Sequence, residues 1–481
     1  MVTPLAILLP PLVAACATGI VRPYRRWVGW FGVVCAAASL AAAAVSAGDG
    51  VVRDGLKTVP YMDALSALLA LCIAFVALLA SVVAPGLRRD ESDDPAQTRR
   101  LRVYMNAFAF TMLLAVTVHN VALMWVAIEA TTITSALAIP LHRTKASVEA
   151  SWKYLLLCSV GIALAFTGTI LGYFDFVATA GGAPVALDWE ALRGAAPSLH
   201  PELLQLAFAF VLVGYGTKAG LAPMHTWLPD AHSEAPSPIS AMMSGVLLAV
   251  AVYAIARWKT VVDAVVSPGF TNALLIGFGL LSVAIGALSL VVQRHYKRML
   301  AYSSVEHMGL VAIGLALGPL GAFAAWLHVL NHAVAKSASF LAAGRILRRY
   351  DRTEIGDVTG LLRVMPWTGA LFAAGILALV GLPPFGLFVS EFLLVRAAVL
   401  THKTWLAAIV LVLLLAAFVS LLKHLNRMLY GEPPDGVRVG ERAEWTALAL
   451  VVPAVILVVL GMALPTPISA LIDRSVAALI P

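Results

Sequence analysis

Apolar runs, most about 20 residues or longer and so able to cross roughly 30 Å of hydrocarbon as helices, follow one another along the whole chain with short polar breaks between them. They predict fourteen helices, at about 3–21, 27–47, 60–85, 103–118, 120–141, 153–178, 202–221, 238–257, 270–291, 298–318, 320–344, 365–400, 404–430 and 443–463. The runs are continuous and do not alternate apolar with polar, which is the pattern of helices and not of a barrel. The opening segment, MVTPLAILLPPLVAACATGIV, has no basic region ahead of its apolar stretch and reads as the first span.

Composition agrees. Of 481 residues, 61% are hydrophobic and 12% charged, against roughly 25% charged in a soluble domain, and the mean hydropathy is +0.90. This describes an all-α polytopic membrane protein and excludes a soluble enzyme, a nucleic-acid binder and an anchored globular domain. Charge then orients the spans. Segments after the odd-numbered spans, with the residues bordering them, carry 21 Lys and Arg, whereas the N-terminus, the even-numbered loops and the tail carry 7. That bias puts the odd loops, including the charged stretch Arg88–Arg102, in the cytoplasm and both termini outside. The net charge of +7 is loop bias of this kind. Cys16, Cys35, Cys72 and Cys158 all lie in apolar stretches without a CxxC or a Cys/His cluster. No iron–sulfur cluster, structural zinc or disulfide framework is expected, no metal or other cofactor is assigned to this chain, and redox chemistry falls to a partner.

Two spans are interrupted. The seventh reads GYGTKAGLAPMHTWLP and the twelfth ALVGLPPFGLFVSEFLL, and both contain Gly-Leu-(Ala/Pro)-Pro, at Gly220–Pro223 and Gly381–Pro384. Proline removes a backbone donor and clashes with the preceding turn, so the helices should open at Gly220 and Pro223 and at Gly381, Pro383 and Pro384. With spans 4–8 and 9–13 taken as two units, each break falls in the fourth helix of its unit, the mark of an inverted-repeat transporter. Two unrelated proline kinks are the alternative. The organisation read from this is 1–102 for helices 1–3, 103–257 for a first repeat, 270–430 for a second, and 443–481 for the last helix and a short tail.

Five basic residues fall inside predicted spans: Lys218, Lys336, Arg396, Lys423 and Arg427. A charge at the bilayer centre costs roughly 2.5–3.5 kcal/mol even on lenient insertion scales. Arg427 lies near a helix end where it can snorkel, Lys423 is ambiguous, and Arg396 receives no role. Lys218 sits beside the break of the seventh helix, and Glu129 lies mid-span in VALMWVAIEATTITSALAI. A Glu–Lys pair across facing helices suits proton transfer, because a nearby carboxylate favours charged lysine and its departure lets desolvation release the proton. A static buried ion pair fixing helix register is the competing reading. In WLHVLNHAVAKSASF, His328, His332 and Lys336 recur every four residues on one face and form a candidate relay. Glu391 follows the second break and is placed to exchange protons with Lys336. Glu306 and His307 point about 100° apart on a helix, so the two should not share one path. The polar stretch HTWLPDAHSE, with His225, Asp230, His232 and Glu234, is a candidate proton mouth, although Asp230 and Ser237 are also placed to cap helices.

At these residues the sequence resembles a known family. TKAGLAPMHTWLPDAHSEAPSPISAMMSG, VAIEATTITSALA, YKRMLAYSSVEHMG and LHVLNHAVAKSASFLAAG look like segments of the proton-conducting antiporter-like subunits of respiratory complex I, Mrp antiporters and membrane-bound [NiFe]-hydrogenases. EASWKYLLLC and SSVEHMG resemble the hydrogenase and formate-hydrogenlyase branch. The resemblance, from about Asn106 to Leu394, implies fourteen helices in two inverted five-helix units. It also implies Glu129 and Lys218 as the pair of a first half-channel, His328, His332 and Lys336 as a central axis, and Glu391 at the terminal position. One departure stands out: Ser244 and Ala249 occupy helix eight where many relatives carry His or Lys.

The resulting expectation is a non-redox, proton-translocating subunit without a catalytic site of its own, in the plasma membrane of a prokaryote. It would assemble with other membrane subunits and a peripheral redox module, surrounded by lipid, with protons or Na⁺ as substrate. A cation/proton antiporter component, an ion-coupled subunit of an inorganic-carbon uptake system and a non-conducting scaffold are the competing readings.

Overall fold

The computed structural model describes residues 4–49, 62–87, 94–181, 187–441 and 444–479; among these the chain forms helices and no strand, apart from two isolated bridges. The helices are α1 (Leu5–Ile20), α2 (Arg26–Asp49), α3 (Ala64–Val83), α4 (Pro95–Thr117), α5 (Val121–Ala138), α6 (Lys145–Ala180), α7 (Trp189–Ala195), α8 (Pro201–Ala219), α9 (Trp227–Glu234), α10 (Ser237–Met242) and α11 (Leu248–Asp263). They continue with α12 (Pro268–Val291), α13 (Tyr296–Leu315), α14 (Gly318–Tyr350), α15 (Leu361–Val364), α16 (Pro366–Leu379), α17 (Gly386–Leu400), α18 (Thr404–Leu429), α19 (Trp445–Leu448), α20 (Val451–Met462) and α21 (Thr466–Ala477). The loop holding Arg53 and Lys57 and positions 88–93 of the charged Arg88–Arg102 stretch lie outside the described residues.

Nine helical stretches among the described residues are long and apolar enough to span a membrane. Helices α13 and α14 are not among them, because Glu306, His307, His328, Asn331, His332 and Lys336 interrupt their apolar runs. These two are nevertheless among the most enclosed elements, and the stretch Ser237–Asp263 is buried throughout its apolar window. The periphery shows the reverse pattern: Leu156, Val160 and Phe174 on α6, Leu288 on α12 and Val412 and Leu415 on α18 are exposed. Apolar side chains outside and titratable ones inside is the arrangement lipid requires.

Several boundaries differ from the sequence reading. The run read as one span at 365–400 is two helices, α16 and α17, and the run at 238–257 is α10 and α11 joined by a π-helical turn at Met243–Leu247. The segment read as a tail contains α21, which buries Leu471, Ile472 and Val476. At twelve residues it is too short to register as a span. The breaks themselves are sharp. Helix α8 ends at Gly220, whose φ of +74° is the left-handed region glycine tolerates, and the chain leaves α16 through Gly381 at +66°.

Arg345, near the end of α14, ties the last helices to this core. Its guanidinium donates to Thr446 (2.7 Å), Glu444 (3.1 Å), Glu441 (3.1 Å) and Thr368 (3.0 Å), and Glu441 is itself almost fully buried. Burial alone would raise the Glu444 carboxyl, but Arg345 and then Arg348 outweigh it and hold the group below its ordinary value. Arg345→Leu should therefore destabilise the folded chain by about 3–5 kcal/mol, the scale for stranding a buried charge, read by denaturant unfolding in detergent. Because the Glu444 carboxyl is depressed on folding, its contribution is present above the unfolded value and fades as pH falls through the folded one. The gap between wild type and Arg345→Leu should accordingly narrow on acidification.

Candidate functional site

Asn120 caps α5, its side chain accepting from the amides of Ala122 (3.0 Å) and Leu123 (3.1 Å), and this starts the helix that carries Glu129 and Thr132. Lys218 lies in the last turn of α8, fully buried, just before the Gly220 break. No ion pair joins Glu129 to Lys218 among the described residues. Instead, Lys218 Nζ donates to Thr132 Oγ1 (2.8 Å), and Thr132 Oγ1 donates to Glu129 Oε2 (3.1 Å). Ser159 donates to the other carboxylate oxygen (2.9 Å). Lys218 also donates to the Tyr154 hydroxyl (2.7 Å), which stands 2.7 Å from Ser135 Oγ. The result is a directed chain from ammonium through hydroxyl to carboxylate, with Glu129 partly exposed at its end.

The second group lies around α14, where His328, His332 and Lys336 are all buried. Lys336 Nζ donates to the Leu300 carbonyl (2.7 Å) and closely to Ser303 Oγ. His307 of α13 completes the stripe: its ring centroid is 5.0 Å from that of His328 and 5.2 Å from that of His332. Ser390 Oγ donates to the Leu387 carbonyl (2.8 Å) and so accepts from His328 Nδ1 (2.9 Å). That leaves His328 Nε2 as the acceptor facing His307 Nδ1 at 3.0 Å. Glu391 meets His307 and His328, with one potential ligand atom from each of the three within 4.8 Å of the others. No ion pair joins it to Lys336 among the described residues. Glu306 and His307, neighbours on α13, meet different groups. His307 meets the histidines, while Glu306 is close enough to act electrostatically on both Lys336 and Glu391.

Ser244, in the π-helical turn, lies 2.8 Å from Ser304 Oγ, and Ser304 donates to the same Leu300 carbonyl (3.1 Å) that Lys336 uses. No hydrogen bond among the described residues links Lys218 to Ser244. The four residues of the candidate mouth do not form one cluster. Asp230 pairs with Lys153 (3.4 Å) and with Arg298. Glu234 lines a crevice of about 1530 Å³, and His225 sits 6.3 Å from the Tyr302 ring. His232 is fully buried against Phe340 at 5.1 Å, with neither ring nitrogen hydrogen-bonded. Neither Asp230 nor Ser237 caps a helix. Arg396, Lys423 and Arg427 are exposed. Sequence reasoning missed Thr132, Tyr154, Ser159 and Ser390, because hydroxyls in apolar helices carry no signal of their own.

Glycine makes room for the carboxylate at the second break. A Cβ on Gly381 would collide with the Glu391 carboxyl group, whereas one on Gly318, also at positive φ, would meet open space. Gly381→Ala should therefore destabilise the protein by more than about 1 kcal/mol and measurably more than Gly318→Ala, compared by unfolding in detergent; equal losses would show that Glu391 yields freely.

Comparisons with known proteins bear on this arrangement. The profile of the family described as NADH:quinone oxidoreductase/Mrp antiporter, TM, matches residues 118–416. A hydrogenase-4 component F homolog of Methylacidiphilum infernorum is 42% identical over 340 residues, covering 70% of this chain and 71% of that protein. NADH-quinone oxidoreductase subunit N of Desulforudis audaxviator is 30% identical over 453 residues, 90% of this chain and 88% of its own. A chain in the structure of the membrane-bound sulfane sulfur reductase, an archaeal respiratory membrane complex, superposes with a TM-score of 0.88 at 25% identity, over 99% of this chain and 97% of that one.

Proposed function

Because this chain belongs to the NADH:quinone oxidoreductase/Mrp antiporter membrane family, we propose that it translocates protons through its own buried Lys, Glu and His residues, for a hydrogenase-related oxidoreductase. It is an antiporter-like integral membrane subunit of the hydrogenase, complex I and Mrp type, built to sit among other membrane subunits. In our reading a peripheral redox module supplies the driving force. The single observation that carries the proposal is the chain Lys218–Thr132–Glu129. The hydroxyl accepts from the ammonium while donating to the carboxylate, so a concerted shift of two protons neutralises both ends without moving a heavy atom far. Protons suit this interior better than Na⁺, since its buried groups are ammonium and imidazole nitrogens, which carry protons but are poor ligands for a hard cation that takes oxygen donors.

The finer architecture belongs to the same reading: fourteen spans, two inverted five-helix repeats over 103–257 and 270–430, odd loops in the cytoplasm and both termini outside. Its support is the crevice, which is lined by Tyr24, Gln97, Thr144, Glu234, His295 and Asp351, one from the segment after each of the first six odd-numbered spans. Six segments meeting on one face is what alternating crossings require. The candidate mouth opens on the same side through Glu234.

A non-conducting scaffold is the second reading, favoured by the buried Ala249 and by the missing hydrogen bond between Lys218 and Ser244. The assembled complex in proteoliposomes with an entrapped pH-sensitive dye separates the two. Lys218→Ala and Thr132→Val should each lower coupled proton uptake by about 100-fold or more, the scale for removing a positioned proton-transfer group. Thr132→Ser should restore it, and the partner chains should co-purify throughout. Undiminished uptake in Lys218→Ala would sink the mechanism, and loss of assembly alone would select the scaffold.

A further inference from the structure

His307, His328 and Glu391 stand on α13, α14 and α17, yet each brings a ligand atom within 4.8 Å of the other two. Two imidazoles and a carboxylate form a donor set suited to borderline divalent metal ions. Ligands held 2.0–2.1 Å from a tetrahedral ion lie roughly 3.3 Å apart, and His307 Nδ1 and His328 Nε2 are already 3.0 Å apart. His328 is also oriented as metal-bound histidines are: its Nδ1–H donates to Ser390 (2.9 Å), and Ser390 donates to the Leu387 carbonyl (2.8 Å). The lone pair of Nε2 therefore faces the cluster.

The same pocket holds unanswered polar groups. His307 Nε2, Glu391 Oε1 and both nitrogens of His332 lack hydrogen-bond partners, and His332 is 1% exposed with its ring 5.2 Å from that of His307. The Lys336 ammonium donates to Leu300 and Ser303 and makes no hydrogen bond to a ligand of the cluster. Glu391 as a whole residue is less buried than the two histidines.

We propose that His307, His328 and Glu391 form a binding site for a divalent transition metal ion of the Zn²⁺ class, with His332 as the available fourth ligand, and that an ion seated there blocks proton movement along α14. Binding stands on the ligand geometry; the block rests on the conduction reading.

Cobalt(II) is the probe, titrated into the purified full-length chain in detergent. Wild type should develop the strong visible bands of four-coordinate Co²⁺ at one ion per chain, and Zn²⁺ should erase them. His328→Gln and Glu391→Gln should lose the bands while eluting as wild type on gel filtration, and Lys218→Ala, with all ligands intact, should keep them. Ser390→Ala keeps every ligand but frees His328, and should weaken Co²⁺ binding by about 10- to 100-fold. Only the weak bands of hydrated Co²⁺, or strong bands that survive both Gln variants, would overturn the site. In proteoliposomes, Zn²⁺ at about ten times its Kd leaves roughly one site in eleven empty and should cut wild-type proton flux about tenfold. Unchanged flux would overturn the block. Co²⁺ bands in a chain that conducts no protons even without metal would refute conduction and leave the site standing.

Discussion

Two ammonium groups enclosed within the helix bundle set the terms for the rest of the molecule. Lys218 and Lys336 are both fully buried, and the effective penalty for withdrawing such an ion from water is several kcal/mol. Each is offset locally by two hydrogen bonds: Thr132 and Tyr154 receive Lys218, and Leu300 and Ser303 receive Lys336. Those acceptors come from α5 and α6 in one case and α13 in the other. The parts of these helices that meet Lys218 and Lys336 are therefore obliged to present polar groups. Removing any one acceptor would leave a charge short of partners, so the helix packing and the ionisable groups specify each other.

The broken helices serve the same constraint. A helix ends with free carbonyls and a partial negative charge, and Lys218 occupies the last turn of α8, where a cation is favoured. At the second break the absence of a side chain on Gly381 admits the Glu391 carboxyl group, and the absence of one on Gly386 admits the Asn331 amide of α14. Glycine and proline thus do more than bend the chain: they bring backbone close enough to polar groups for those groups to stay deep in the bundle.

What the sequence made legible is what one dimension can carry. Apolar runs mark spans, the Gly/Pro pairs mark breaks, and the expense of intramembrane charge singles out Lys218, Lys336, Glu129 and Glu391 before any contact is known. Partnerships were not legible, because they depend on how helices are rotated and shifted against one another. Glu391 faces His307 and His328 instead of Lys336, and Thr132 stands between Glu129 and Lys218. A threonine in an apolar helix ordinarily bonds its own backbone, so nothing in its position announced a bridging role. Helix α21 was missed for a different reason, its apolar face being too short to read as a span.

Of the two positions in helix eight where the resemblance leads one to expect His or Lys, Ala249 brings no polar group and Ser244 brings a hydroxyl. Ser244 reaches Ser304, but the Ser304 and Lys336 protons both converge on the Leu300 carbonyl. A carbonyl oxygen accepts and has no proton to pass on, so the hydrogen-bond chain terminates there instead of running through to α14. In the proposed reading this interruption is an asset, since an unbroken wire between the two lysine centres would let protons run down their gradient without coupling. Closing it takes only rotation of a serine hydroxyl, or a water placed between the serines and Lys336. Ser244 lies in the π-helical turn, a local irregularity of the kind found at functional sites and able to change its hydrogen bonding without unfolding the helix.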